Sequence, residues 1–138
     1  MQANADLTEP QENPPAASKP ASKAKTIGVW VVCGLLALQY LFAGATKLFG
    51  TAQAVEGFHH AGFSDGFHIF IGAAETSGAL GLLAPRLRFW ASIGLSLVML
   101  GALHTHVRAG DSVGKMMPAG ISLVLLIAMA IVSRPRRA

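Results

Sequence analysis

Four long runs of apolar residues follow a polar N-terminal segment, and short polar connections separate the runs from one another. They predict helices at about 26–49, 67–84, 88–107 and 114–133. The first run carries no formal charge over roughly 20 residues, enough to cross a hydrocarbon core of about 30 Å. The other three are shorter, so helices in the core of a soluble bundle are an alternative that has to be excluded.

The last apolar run argues against a soluble bundle. The segment 122–132 is apolar all round, whereas the surface helix of a soluble protein has a polar stripe along one face. Composition agrees, because 52% of the residues are hydrophobic and only 13% are charged, against about 25% charged residues in soluble domains. The predicted fold is therefore all-α, an antiparallel four-helix transmembrane bundle over 26–133 that is embedded in a lipid bilayer.

The N-terminal segment has a different composition. Residues 1–25 contain four prolines among Ala, Ser, Asn, Gln and charged residues, and Leu7 is their one sizeable aliphatic side chain. Such a segment buries too little apolar surface to offset the entropy of ordering, so the sequence predicts a disordered Pro/Ala/Lys tail. No cleavage pattern follows the first apolar run, which predicts an uncleaved anchor. Residues 134–138 are predicted to form a basic C-terminus.

Basic residues flank the apolar runs unevenly. With four crossings, the two termini and the second connection share one side of the membrane. That side holds Lys19, Lys23, Lys25, Arg86, Arg88, Arg134, Arg136 and Arg137, and the opposite side holds Lys47, Arg108 and Lys115. Because cytoplasmic segments carry the excess of Lys and Arg, the sequence predicts a cytoplasmic (inner) membrane protein with both termini cytoplasmic. Charge placed in this way does not predict nucleic acid as a partner, which needs a basic patch on one folded face.

The side chains with redox or metal chemistry form no strong motif. The single cysteine, Cys33, excludes an intramolecular disulfide and a CxxC redox pair, and in an apolar helix it is interpreted as a packing residue. The five histidines are His59, His60, His68, His104 and His106. None has HExxH spacing or another zinc-ligand spacing, so no metal site is predicted.

Glu75 is the most informative polar residue. It lies eight positions inside the second predicted helix, about 12 Å from the outer end of that helix. A carboxylate at that depth is expected to face other helices, either to perform a function or to pin helices together. His68 shares its helix face, and Lys47 and His104 lie near the outer ends of the first and third helices. Lys47, His68, Glu75 and His104 therefore form the candidate site, a polar cluster in the outer half of the membrane. Lys47 could instead extend to the lipid headgroups.

Two other features concern contacts between helices. Gln39, in the middle of the first helix, is predicted to hydrogen-bond to another helix. The second helix has small residues four apart, in the pairs Ala74/Gly78 and Ser77/Gly81. This spacing is typical of a helix-packing face, but it also occurs in any membrane helix rich in Ala and Gly.

Short motifs occur in a fixed order on three of the predicted helices. The first helix ends LFAGATKLFG (41–50), the second contains FIGAAETSGALGLL (70–83) and the third ends LGALHTH (100–106). An AGxxKL ending, a GxxE core and a small-residue-rich third helix with a polar end resemble the DoxX family of small four-helix membrane proteins. The matching positions are Gly44, Lys47, Gly72, Glu75 and His104. The tail and the His59-His60 pair have no counterpart in that pattern.

The resemblance implies an accessory membrane subunit rather than a free-standing enzyme, and two classes of function stay open. In the first, the chain is a redox-associated subunit, quinone-linked or part of an oxidative-stress complex. Its polar cluster would bind a quinone headgroup or relay a proton, and its partner would be a soluble or membrane redox protein. In the second, the chain is a non-catalytic scaffold or assembly factor whose polar cluster is structural.

Overall fold

A computed structural model describes residues 23–135, and their regular structure is entirely α-helical. The helices are α1 (Lys23–Leu48), α2 (Ala52–His60), α3 (Phe67–Leu83), α4 (Arg88–Arg108) and α5 (Val113–Val132). The all-α prediction is confirmed for this part of the chain. Most of the predicted tail (1–22) and the last three residues (136–138) lie outside the described residues.

The first helix begins earlier than its apolar run. Lys23, Ala24 and Lys25, predicted as the end of the tail, form the first turn of α1. Lys and Ala are good helix formers, and the last proline of the tail precedes them by three residues, so nothing local prevents the helix from starting there.

The helix α2 was not predicted. It lies in the first connection and is only nine residues long, with Gly57 in its second half. Its N-terminus is capped by Thr51, whose side-chain hydroxyl accepts a hydrogen bond from the backbone N–H of Ala54 (3.4 Å). Phe58 packs against Phe63 and Phe67, with ring centroids 5.7 and 6.1 Å apart. These contacts hold α2 over the N-terminal end of α3.

The four longer helices pack side by side in the order α1, α3, α4, α5. The most extensive contacts join α1 to α3, α4 to α5 and α3 to α4, whereas α1 and α5 meet at few positions. On α3, Gly78 faces Leu95 and Gly81 faces Ala91, where an added Cβ would lie 2.6 and 2.8 Å from the α4 side chains. These two glycines therefore belong to a packing face, the first of the two alternatives for this helix.

The interior is narrow, and much of the apolar surface points outward. Large buried side chains such as Leu36, Leu82, Leu95 and Leu126 line the contacts between helices. On the other side of α1, Ile27, Val31, Leu35, Leu38 and Phe42 form a continuous stripe that is 54% to 74% exposed. A soluble monomer rarely exposes a contiguous apolar surface of this extent, whereas lipid would cover it.

Three of the described helices are long and apolar enough to cross a membrane: α1, α4 and α5, with mean hydropathies of 1.9, 1.3 and 2.1 over their best windows. Only 28%, 22% and 22% of those windows are buried within the protein. The fourth long helix, α3, is apolar but has 17 residues. The chain is therefore a membrane protein by its helices, with three candidate spans and one shorter apolar helix.

Candidate functional site

The centre of the candidate site is an ion pair between α1 and α3. Lys47 Nζ lies 2.7 Å from Glu75 Oε2 and also donates to the backbone carbonyl of Ala43 at 3.3 Å. The Glu75 side chain is 4% exposed and that of Lys47 is 19% exposed. Glu75 is the middle residue of α3, eight positions and about 12 Å from either end, so its Cα lies at the level of the helix centre.

The direction of the two helices explains why these side chains meet. Every side chain on an α-helix leans toward the N-terminus of its own helix. The end of α1 lies beside the beginning of α3, because Gly44 contacts Gly72. The two helices are thus antiparallel at this contact. Lys47 lies about one turn beyond Gly44, and its side chain leans back toward the start of α1. Glu75 lies about one turn beyond Gly72, and its side chain leans back toward the start of α3. The lysine ammonium and the carboxylate therefore converge on one point.

Two glycines set the distance between the helices at this point. Gly44 precedes Lys47 by three residues, and Gly72 precedes Glu75 by three residues. A Cβ on Gly72 would lie 2.9 Å from both the Gly44 carbonyl oxygen and Lys47 Cβ. One on Gly44 would overlap the Thr76 hydroxyl and lie 2.9 Å from the Gly72 carbonyl oxygen. The backbones of α1 and α3 are thus in direct contact, which brings the ion pair within hydrogen-bonding distance.

Further polar side chains extend from the ion pair toward α5. Tyr40 is 1% exposed, and its hydroxyl lies beside Ser122 without a well-formed hydrogen bond. The Thr76 hydroxyl is also buried without a partner among the described residues. Gln39 Nε2 donates to Ser122 Oγ at 2.9 Å, which confirms the predicted interhelical hydrogen bond of Gln39. The sequence alone does not predict that Tyr40, Thr76 and Ser122 lie near Glu75. Their proximity depends on how each helix is rotated about its axis.

The structure does not bring the two histidines of the predicted cluster to Glu75. His68 packs against Phe58, with ring centroids 6.2 Å apart, near the turn at Gly50 that follows α1. His104 lines a separate cleft of about 360 Å³ near the C-terminal end of α4. Its other wall comes from the end of α2 and the segment that follows it, including His60 and Phe63. Of the four predicted site residues, the structure therefore joins Lys47 to Glu75 and places His68 and His104 elsewhere.

A family model described as the DoxX-like family matches residues 31–131, which include most of α1 and all of α2, α3 and α4. This chain belongs to the DoxX-like family. The resemblance predicted from the motifs is thereby confirmed, and the matched range contains both members of the ion pair. No curated protein and no solved structure matches the chain.

This DoxX-like chain has a second polar network, in the turn between α4 and α5. Asp111 Oδ2 lies 2.8 Å from His106 Nδ1, and Lys115 Nζ donates to Asp111 Oδ1 at 2.9 Å. The hydrogen bond with His106, followed by that with Lys115, holds the pKa of the Asp111 carboxyl below its ordinary value of 3.8. The carboxylate thus joins the end of α4 to the beginning of α5.

The lowered pKa of Asp111 leads to a prediction about pH. Because folding favours the ionised form, Asp111 stabilises the turn above pH 3.8, and this stabilisation is lost as the pH falls toward the lower folded-state pKa. We expect the carbon chemical shift of the Asp111 carboxyl to titrate below 3.8 in the folded protein. His106→Ala should raise that pKa more than Lys115→Ala, since the hydrogen bond with His106 is the larger cause. Equal titration in all three proteins would contradict this arrangement.

At the opposite end of the helices, Arg88 is a buried cation. From the sequence it contributes only to the predicted membrane topology, as one of the basic residues that flank the apolar runs. It is 7% exposed, its Nε donates to the Leu82 carbonyl oxygen at 2.9 Å, and its guanidinium lies 4.5 Å from the centroid of the Trp30 ring. It thus ties the start of α4 to the end of α3 and to α1. The sequence did contain a signal for this contact. Arg88 directly follows the short turn 84–87, which contains Pro85, and a residue in that position lies beside the last turn of α3.

Proposed function

We propose that this DoxX-like protein is an accessory subunit of the cytoplasmic membrane, in which α1, α3, α4 and α5 form an antiparallel transmembrane four-helix bundle over about 26–133. In this proposal α3 is the fourth span. Its 17 residues extend for about 25 Å, at the short end of the range for spanning helices. The contacts of α3 with both α1 and α4 support this placement, because they leave α3 at the same depth as its neighbours.

The distribution of charge supports cytoplasmic termini. One end of the described helices holds five cations: Lys23, Lys25, Arg86, Arg88 and Arg134. All four carboxylates of the described residues lie in the middle of the helices or at the other end: Glu56, Asp65, Glu75 and Asp111. An end with cations and without carboxylates is what the positive-inside rule assigns to the cytoplasm.

This topology predicts the behaviour of a fused reporter. A reporter attached after Ala138 that is active only in the cytoplasm should be active, and a fusion in the α4–α5 turn after Gly110 should be inactive. The turn fusion is the matched control, because it lies on the opposite side in the same bundle. Activity of an external-side reporter at Ala138 would show that the topology is inverted.

For the ion pair we propose a structural role, a lock that fixes α1 against α3. The observation that carries this proposal is the 2.7 Å contact between Lys47 Nζ and Glu75 Oε2 beside the direct backbone contact of Gly44 with Gly72. Two clefts among the described residues are lined by other side chains, so a ligand in either of these would not touch the pair. The function supported best is thus that of a non-catalytic scaffold or assembly factor, whose rigid outer half presents α2 and the adjoining loops to a partner.

Co-purification tests the scaffold role. Glu75→Gln keeps the shape of the side chain and its ability to accept a hydrogen bond from Lys47. If the pair is structural, the variant should fold and should retain the proteins that co-purify with the natural chain. Normal folding with loss of the associated activity, while the partners stay bound, would instead support a proton relay at Glu75.

A redox-associated role is the second candidate, and the outer cleft is the observation that favours it. His60, His104 and Arg108 provide hydrogen-bond donors of the kind that quinone carbonyl oxygens accept, and Phe63 adds an aromatic wall. Quinone content of the purified protein, with a soluble or membrane redox protein as co-purifying partner, decides between the two. Stoichiometric quinone that is lost in His104→Leu but kept in His59→Leu supports this role, because His59 pairs with Asp65 and does not line the cleft.

A further inference from the structure

A groove runs along the lipid-facing side of the contact between α4 and α5. It has a volume of about 310 Å³ and apolar walls from Ile93 and Leu97 on α4 and from Ile127 and Ile131 on α5. Ser96 and Ala130 also line it, and their short side chains leave the space open. Arg134, two residues beyond the last residue of α5, lies at one end of the groove.

The shape of the groove fits a hydrocarbon chain. Its lining is almost wholly apolar, and the Ser96 hydroxyl is already satisfied, because it donates to the Ser92 carbonyl oxygen at 2.7 Å. A ligand along the walls would therefore gain apolar contact without having to supply hydrogen bonds. In a bilayer the occupant that is always available for such a surface is a lipid acyl chain.

The charge at the end of the groove indicates which class of lipid headgroup would bind there. Arg134 has no ion pair with any residue between 23 and 135, and that end of the helices carries no carboxylate within the same range. Arg guanidinium binds phosphate oxygens in bidentate fashion, and basic residues beside the cytoplasmic leaflet attract anionic lipids. A lipid headgroup with net negative charge would give Arg134 the anionic partner that residues 23–135 do not provide.

We propose that this groove is a binding site for an anionic phospholipid of the cytoplasmic leaflet, with one acyl chain between α4 and α5 and the headgroup phosphate on Arg134. The inference rests on the membrane topology proposed above and is independent of the role of the ion pair and of the outer cleft. The proposed occupant of the groove is a bilayer phospholipid, and not a soluble phosphate or a protein carboxylate.

Trp90 provides a reporter close to the site. The chain has two tryptophans, and Trp90, 66% exposed, lies on α4 three residues before Ile93 and seven before Leu97, on the same helix face. Trp30→Phe leaves Trp90 as the sole tryptophan and keeps an aromatic ring beside Arg88. The experiment is the quenching of Trp90 fluorescence by lipids with brominated acyl chains. The vesicles contain phosphatidylglycerol and phosphatidylcholine in equal amounts, with one or the other brominated.

We expect brominated phosphatidylglycerol to quench more strongly than brominated phosphatidylcholine. Arg134→Gln should lower the relative affinity for phosphatidylglycerol about ten-fold, because it removes a charge-assisted hydrogen bond to the headgroup phosphate, a contact that contributes about 1.5 kcal/mol. The matched control is Arg86→Gln, which removes an equal charge from the same side but outside the groove. It should lower the relative affinity less than Arg134→Gln does, because it removes only general surface charge and no direct contact with the headgroup. Ser96→Leu should lower it by filling the groove, whereas Gly94→Leu, where an added Cβ meets nothing within 4 Å, should not.

Three outcomes would overturn the inference. Equal losses in Arg134→Gln and Arg86→Gln would mean that surface charge alone attracts the lipid. Equal quenching by the two brominated lipids would mean that lipid covers Trp90 without headgroup selection, and would leave the membrane topology intact. Absence of quenching by either lipid would contradict the membrane placement of α4 itself, and with it the proposed function.

Discussion

Gly44→Val should destabilise the protein by about 3 kcal/mol, at the upper end of the cost of overpacking a core. The new side chain would meet the Thr76 hydroxyl and the Gly72 carbonyl oxygen, and the latter belongs to backbone that cannot rotate away. The helices α1 and α3 would have to separate, and the Lys47–Glu75 contact would lengthen with them. The free energy of unfolding, measured by steric trapping or by detergent titration in bicelles, reports the effect.

Gly34 provides the matched control on the same helix. An added Cβ at Gly34 meets nothing within 4 Å, so Gly34→Val introduces the same side chain without a clash. We expect this variant to differ from the natural chain by less than about 0.5 kcal/mol, the usual range for substitutions away from packing contacts. Similar losses in the two variants would mean that valine disturbs α1 itself, and that close approach to α3 is not the cause.

Glu75→Ala is the second substitution with a large expected effect, also about 3 kcal/mol. It leaves the Lys47 ammonium without its carboxylate in a site where the lysine side chain is 19% exposed. The cost is at the low end for breaking a buried pair, because Lys47 lies one residue before the end of α1 and can turn toward the headgroups. The change in unfolding free energy is the quantity to measure.

Glu75→Gln separates the lost charge from the lost side chain. Glutamine can still accept a hydrogen bond from Lys47, so the cost should be about 1 kcal/mol, as for other interhelical hydrogen bonds in membranes. Lys47→Met should be additive with Gly34→Val, which lies elsewhere on α1, but strongly coupled to Glu75→Ala. Additive effects of Lys47→Met and Glu75→Ala would contradict a direct interaction between these two side chains.

Much of the architecture follows from sequence pattern. The apolar runs predict the long helices because a span has to be apolar on nearly all sides, and this leaves a signal that tertiary contacts do not alter. The helix α2 leaves no such signal. It is nine residues long with a glycine inside, and its stability comes from the contacts of Phe58 with Phe63 and Phe67, which depend on the fold.

The candidate site was only partly predictable for a similar reason. Position along a helix gives depth, and depth indicated that Lys47, His68, Glu75 and His104 share the outer half. Rotation of each helix about its axis decides which of them meet, and packing contacts set that rotation. Between α1 and α3 the sequence contains a signal for the packing contact, because Gly44 and Gly72 lie three residues before Lys47 and Glu75. His68 is on α3 itself, seven residues and about 10 Å along the helix from Glu75. Gly101 precedes His104 by three residues, but an added Cβ there meets nothing within 4 Å, so α4 has no close glycine contact at this position.

The contact between Lys47 and Glu75 is tested most directly by a measurement in a lipid bilayer. Rotational-echo double-resonance NMR, with ¹⁵N at lysine Nζ and ¹³C at glutamate Cδ, detects pairs in hydrogen-bonding contact. The ion pair predicts strong dephasing, consistent with an Nζ–Oε2 distance of 2.7 Å, and Glu75→Gln should abolish it because the labelled glutamate is removed. Dephasing that is absent, or that survives Glu75→Gln, would contradict an ion pair between α1 and α3.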